Sequence, residues 1–330
     1  MKAIVLNKDG HMLLEEVSIA QPKNNEIQVK IMASGFNPID YQMIENEMER
    51  KLLHSPILGR EFSGIVTAMG AKAVNFKIGD AVFCGSGSMG SNGTYAEYIN
   101  VPEEIVAVKP ETVSFEQAAG IPSTGLTALQ CFDRMPIDAS SKVLITGAAG
   151  GVGAMLVKIL LAKGYQNFIV TAGNETSITA LHNIGVNSKQ VINYALQDVE
   201  TTAIALNKNA KFDIVVDLVG GPIAEKAARV LKTNGAYLDV TALSTPSSRE
   251  LLFDKGATII NISNYAYSAD KNYSYYRNGL ESLASLLNHS FITPPSIEVI
   301  GNMSTDTVVR AHLMLKTNKT QGKKLIMKIN

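Results

Sequence analysis

The chain is short of cysteine, of net charge and of long apolar runs, and each shortage removes a class of protein. Its two cysteines, Cys84 and Cys131, lie far apart in 330 residues and form no disulfide framework. Its 30 Lys and Arg balance 30 Asp and Glu, with no basic stripe to suggest nucleic acid or an anionic membrane. No segment approaches the roughly 18 apolar residues of a membrane helix. The opening run Met1-Lys-Ala-Ile-Val-Leu6 is too short for the apolar core of a signal peptide and passes straight into Asn7-Lys-Asp-Gly10. The histidines, His11, His54, His182, His289 and His312, lack metal-ligand spacing. The default expectation is a soluble cytoplasmic protein, long enough for two domains.

Its organising stretch is Lys142-Val-Leu-Ile-Thr-Gly-Ala-Ala-Gly-Gly-Val-Gly153, continued by Ala-Met-Leu-Val-Lys158. Val143 to Ile145 read as a buried parallel strand. After Gly147 the apolar residues recur at Val152, Met155, Leu156, Ile159 and Leu160, which is helical spacing. A strand, a glycine turn and a helix in that order are the context in which such glycines bind a dinucleotide. Ala148, Ala149, Gly150, Gly151, Val152 and Gly153 then form the phosphate turn. Gly150 admits the pyrophosphate, Gly153 lets the helix pack on its strand, and the helix N-terminus faces the phosphates. A side chain at 150 would obstruct that approach, and a positive φ there would add strain.

A second strand, 167–171, ends at Thr171, about 20 residues past the glycines, where an acid that binds the ribose of NAD is expected. Ala172, Gly173 and Asn174 stand there, without a carboxylate before Glu175. This favours NADP(H) modestly, because Thr176, Ser177 and Ile178 supply no cation. Helical and strand patterns then alternate: helix 177–184, strand 190–194, helix 199–206, strand 212–217, a turn at Val219 and Gly220, helix 223–231, and strands 236–241 and 257–262. The expected fold class is α/β, with a doubly wound parallel Rossmann sheet.

Residues 1–121 read differently. Short strand-like runs at 2–6, 26–33, 64–70, 80–84, 93–101 and 105–109, many separated by Gly and Pro, indicate a smaller, mostly β domain. Segments 114–119 and 124–132 are helical. Beyond a polar, Tyr-rich stretch at 268–276, helices at 279–287 and 305–315 lead to a closing strand, 324–329. The tail is expected to rejoin the first domain, giving 1–121 with 266–330 as one domain and 122–265 as the inserted nucleotide domain.

This layout resembles the medium-chain dehydrogenase/reductase superfamily, and within it the zinc-free quinone oxidoreductases. The residues that carry the resemblance are Ala33-Ser-Gly-Phe-Asn-Pro-Ile-Asp40, Gly59-Arg-Glu-Phe-Ser-Gly-Ile-Val66, Phe76-Lys-Ile-Gly-Asp-Ala-Val82, Gly93-Thr-Tyr-Ala-Glu-Tyr98, Gly125-Leu-Thr-Ala128, the glycine turn, Ile192-Asn-Tyr194 and Gly322-Lys323. It implies a GroES-like first domain. The zinc alcohol dehydrogenases of the superfamily carry a Cys and a His in the segments that here read Gly35-Phe-Asn-Pro and Gly59-Arg-Glu. Phe36, Asn37 and Arg60 supply no zinc ligand, Glu61 alone makes no site, and 85–92 lacks the four-cysteine lobe.

The resemblance therefore implies an enzyme with no metal, in which NADPH reduces a quinone, enone or enal while the protein orients it and stabilises the developing oxyanion. Asn37 is the leading residue beside the acceptor; on residue type alone, Asn37 and Pro38 equally well shape a turn, with Asp40 capping the next helix. Tyr41 is either a proton donor or a packing residue, since the family's Tyr falls one position later, at Gln42. Ser123 and Thr124 are implied against the nicotinamide ribose, Tyr194 against the 2′-phosphate, and Lys323 near the cofactor; the alternatives are a strand-end Tyr and a solvated Lys pair. The cluster Tyr265, Tyr267, Tyr273, Tyr275 and Tyr276 suits an acceptor pocket, a subunit surface or plain packing. A homodimer joined through strand 257–262 is expected. Two other readings stay open: a protein that binds NADPH as a structural or sensing ligand, and a short-chain enoyl-thioester reductase, which would need a basic patch.

Overall fold

The computed structural model describes residues 1–46, 50–51 and 53–329. The chain forms two compact units, Met1–Leu126 with Tyr265–Asn330, and Thr127–Asn264. The boundary falls inside the helix Pro122–Arg134 rather than ahead of it.

The first unit opens with the antiparallel pair β1 (Lys2–Leu6) and β2 (Met12–Glu16). There follow β3 (Glu26–Gly35), α1 (Pro38–Glu45), β4 (Glu61–Met69), β5 (Ala81–Cys84), β6 (Tyr98–Pro102), β7 (Val106–Val108), α2 (Phe115–Ala119) and α3 (Pro122–Arg134). In β3, Ile27, Val29, Ile31 and Ala33 alternate inward and are fully buried, the period-two pattern of a strand covering a core. The expected strand 93–101 is shorter, Tyr98–Pro102, and Gly93 lies ahead of it against backbone: a Cβ there would sit 2.1 Å from the carbonyl oxygens of Ile57 and Leu58.

The second unit is a parallel sheet of β8 (Val143–Ile145), β9 (Phe168–Ala172), β10 (Val191–Asn193), β11 (Phe212–Asp217), β12 (Leu231–Asp239) and β13 (Thr258–Asn261). Their order is β10-β9-β8-β11-β12-β13. Helices α4 (Gly151–Ala162), α5 (Glu175–Asn183), α6 (Val199–Leu206), α7 (Pro222–Val230) and α8 (Pro246–Asp254) connect the strands. The strand order reverses between β8 and β11, the switch point at which open α/β sheets bind ligands. Helix α8 was not apparent from periodicity. It begins at a capping box in which Thr245 accepts from the Ser248 amide.

The chain returns to the first unit through α9 (Tyr265–Ala269), α10 (Ser274–Asn288), β14 (Ile297–Asn302), α11 (Thr305–Lys316) and β15 (Lys324–Lys328). Strand β15 pairs with β3 and with β14, a strand the apolar pattern did not reveal. The Tyr-rich stretch is largely helical, with Tyr267 and Tyr275 stacked at 3.5 Å and Tyr276 edge-on to Tyr275. Among the described residues no helix is long and apolar enough to cross a membrane.

Candidate active site

The glycine turn joins β8 to α4 at the switch point. Gly147 adopts φ +63°, a conformation that suits glycine, and a Cβ there would press to 2.8 Å of Val219. Two bonds from β9 hold the turn: the Gly147 amide donates to Thr171 Oγ1 (3.0 Å) and the Ala148 amide to the Thr171 carbonyl (3.2 Å). Thr171 is therefore spent on shaping the turn. Gly150, the N-cap of α4, has φ −71°, so the strain expected there is absent. It is exposed, and an added Cβ would meet only the Gly147 carbonyl oxygen, at 3.3 Å. A Cβ on Gly153 would lie 2.6 Å from the Ala148 Cα, so this glycine closes helix onto turn.

Asp217, at the end of β11, anchors the opposing loop and was missed in the sequence. Its Oδ1 accepts from Thr146 Oγ1 (2.7 Å) and from the amides of Val219 and Gly220 (3.1 Å each); its Oδ2 accepts from the Tyr237 hydroxyl (2.7 Å). The available signal was a lone acid closing an apolar strand, Phe212-Asp-Ile-Val-Val-Asp217. Val219 is exposed beside Gly147 and Gly220 is buried at φ +76°. An open cradle over Gly150, with the unpaired amides of the first α4 turn beneath it, fits a dinucleotide pyrophosphate. Ala148 to Gly153 would hold it, and the bound nicotinamide would supply a hydride.

At the end of β9, Tyr194 covers Gly173 so closely that a Cβ there would fall within 2.3 Å of the phenol oxygen. The ring remains 43% exposed, which leaves it room to meet a ligand. Asn174 caps α5, its side chain accepting from the Ser177 amide (2.9 Å).

The first unit contains a buried ionic cluster. Asn37 follows β3, Glu61 opens β4 opposite Gly35, and Lys324 opens β15. Lys324 Nζ lies 2.5 Å from Glu61 Oε1 and donates to Asn37 Oδ1 at 2.6 Å, while Asn37 Nδ2 donates to Glu61 Oε1 at 2.9 Å. The Ser123 amide donates to Glu61 Oε2 (2.8 Å). Glu61 is fully buried, Lys324 7% exposed and Asn37 8% exposed. Glu61 does not act alone, and the lysine engaged here is Lys324. Lys323, the expected cofactor-side lysine, is instead half-exposed and paired with Glu298 at 3.6 Å. Neighbours along a strand point to opposite faces, so one of the pair Lys323-Lys324 had to turn inward. Sequence alone did not say which.

Asn37 also begins α1 in a capping box, its amide donating to Asp40 Oδ2 (2.8 Å). Asp40 thus caps the helix as one of the two readings held. Burial pushes its carboxyl up to about 6, against the pull of the Asn37 amide. The Tyr95 hydroxyl donates to the same oxygen (3.1 Å) and lies 3.3 Å from His312 Nε2. With the phenol donating to Asp40, the hydrogen bond to His312 requires the tautomer that carries its proton on Nε2. Burial holds this imidazole down to about 4, so it is neutral at physiological pH. Tyr41 packs its half-buried ring toward His312, with centroids 6.4 Å apart. The Thr124 hydroxyl donates back to the carbonyls of Gly120 and Ile121, just ahead of its own helix. Among the described residues no three His, Cys, Asp or Glu side chains gather as a metal site.

A parallel sheet with a dinucleotide turn at its switch point, joined to a mostly β unit with a polar buried site, defines a nicotinamide-dependent oxidoreductase. Residues 23–111 match the alcohol dehydrogenase GroES-like domain and 151–277 the zinc-binding dehydrogenase domain. The chain is 26% identical to 2-methylene-furan-3-one reductase of Solanum lycopersicum, over 95% of this chain and 74% of that one. It is 27% identical to an NADPH-dependent alkenal/one oxidoreductase of Arabidopsis thaliana, over 81% and 70%. The structure superposes on Escherichia coli quinone oxidoreductase, solved with NADPH, at a TM-score of 0.84 and 25% identity, covering 99% of this chain and 98% of that one. The chain belongs to the medium-chain dehydrogenase/reductase superfamily and is an NAD(P)H-dependent oxidoreductase.

Proposed function

We propose that this enzyme uses NADPH, without a metal, to reduce quinones or other conjugated carbonyls such as enones and enals. The observation that carries this reading is the Asn37–Glu61–Lys324 cluster. It occupies the segments in which the zinc alcohol dehydrogenases carry ligands, and both oxygens of its one carboxylate are already engaged. A site that polarises its acceptor by hydrogen bonds alone suits conjugated acceptors, whose negative charge spreads as the hydride arrives. NADPH oxidation should depend on an added quinone or enone and survive prolonged chelation. Loss on chelation with recovery on zinc addition would overturn the metal-free reading. NADPH binding without turnover across a broad acceptor panel would leave a binding protein.

The preference for NADPH rests on the missing acid at 172–174 and on the exposed Tyr194 over Gly173. NADPH should bind modestly more tightly than NADH in a fluorescence titration, and equal affinities would refute the preference. The proposed homodimer rests on β13, an edge strand that among the described residues pairs only with β12, with Ile259 48% exposed. Light scattering at micromolar concentration should give twice the chain mass; a monomer mass would end this reading. The cytoplasm remains the proposed location.

A further inference from the structure

We propose that Lys324 is the positioning residue of the acceptor site: it holds the Asn37 amide so that one N–H stays free for the acceptor's oxygen. This rests on the reductase reading above. The orientation of the amide follows from the charges. Asn37 Oδ1 faces the Lys324 ammonium at 2.6 Å and Nδ2 faces Glu61 Oε1 at 2.9 Å. A flipped amide would set its NH2 against the ammonium and its oxygen against the carboxylate, so only one orientation is tolerable. Nδ2 carries two hydrogens, and Glu61 takes one. Among the described residues the second has no partner, and Asn37 is 8% exposed.

The surroundings are shaped around these charges. A Cβ on Gly35 would fall 2.6 Å from Glu61 Oε1, and one on Gly120 would fall 2.9 Å from Lys324 Cγ. A buried ion pair seldom stabilises a fold more than apolar packing of the same volume would, so its retention calls for another role. Reduction supplies one. A hydride from the nicotinamide forms a C–H bond at the acceptor's β-carbon. The alkene π pair shifts to make the α-carbon–carbonyl bond double, the carbonyl π pair moves onto oxygen, and water then protonates the α-carbon. The free Asn37 N–H donates to that oxygen as its charge develops, and the cation on Oδ1 strengthens the donor. The gain appears in the transition state more than in the bound ground state, so it acts on kcat rather than KM.

Lys324→Met alone strands the Glu61 carboxylate and risks the fold, so the informative variant is Lys324→Met/Glu61→Gln, which removes both charges. Its kcat for an enone should fall about 100-fold, the usual cost of a weakened oxyanion donor, with the acceptor KM little changed. NADPH affinity by fluorescence titration and the melting temperature should stay near those of the unmodified enzyme. Lys324→Gln/Glu61→Gln restores a neutral donor to Asn37 Oδ1 and should recover about fivefold of the loss, since such a bond is worth about 1 kcal/mol. Unchanged kcat in the Met/Gln variant would overturn the proposal while leaving the reductase reading intact. So would a loss confined to KM, or one that tracks the melting temperature. If the unmodified protein reduces no conjugated acceptor, the reductase reading fails and this proposal fails with it.

Discussion

Asp217→Ala should destabilise the protein by about 4 kcal/mol or more and remove nucleotide binding with it. The carboxylate is 1% exposed and accepts four hydrogen bonds, from Thr146, Val219, Gly220 and Tyr237. Alanine leaves all four donors in a pocket that water does not readily fill, and each buried orphan costs about 1–3 kcal/mol. Burial, the largest of the causes that hold the Tyr237 phenol far above its ordinary value, remains in the variant, so the phenol stays protonated as an orphaned donor. Asp217→Asn keeps an oxygen for Thr146 and the two amides. It sets its NH2 toward Tyr237, whose hydroxyl can turn and accept, so the cost should be nearer 1 kcal/mol. Urea titration checks both: the midpoint should shift strongly for Ala and slightly for Asn, with the slope unchanged. An alanine variant within about 1 kcal/mol of the unmodified protein would show that Asp217 does not organise the loop.

The repeating strands and helices of the nucleotide unit were readable because each follows one period, and the burial matches it. Helix 199–206 and strand 212–217 fall where the pattern put them. Elements with weak patterns were not readable. Strand β2, Met-Leu-Leu-Glu-Glu, has mostly exposed side chains, and β14 has none fully buried, so neither alternates between apolar and polar. The site divides along similar lines. The phosphate turn is a local motif of contiguous residues, whereas the Asn37–Glu61–Lys324 cluster joins positions 287 residues apart in sequence and exists only once β3, β4 and β15 align. Glu61 read alone looked inert because its partner was the neighbour of the lysine singled out. The same holds for Tyr95 and His312, which are 217 residues apart.

Gly150→Val should bind NADPH at least about 100-fold more weakly while the fold stays close to its original stability. Two effects seemed to act together at this position, bulk and backbone strain, and only bulk remains. With φ −71° and ψ 169° the residue occupies extended backbone that valine adopts readily. The Cβ meets no atom closer than the Gly147 carbonyl oxygen at 3.3 Å, a contact that a few tenths of an ångström relieve. Melting should therefore change little, within the roughly 0.5 kcal/mol usual for exposed substitutions. The two methyl groups instead project into the open space above the first turn of α4, where the pyrophosphate needs the N–H groups uncovered. Gly153→Val supplies the contrast. Its Cβ would lie 2.6 Å from the Ala148 Cα and 2.7 Å from the Gly147 carbonyl oxygen, both of them backbone that cannot step aside. That variant should lose stability first, and binding only as a consequence. Fluorescence titration alongside thermal melting separates the two: Gly150→Val loses affinity at constant melting temperature, whereas Gly153→Val loses both. A Gly150→Val protein that binds NADPH within about threefold of the original would mean that the phosphates do not lie over this turn.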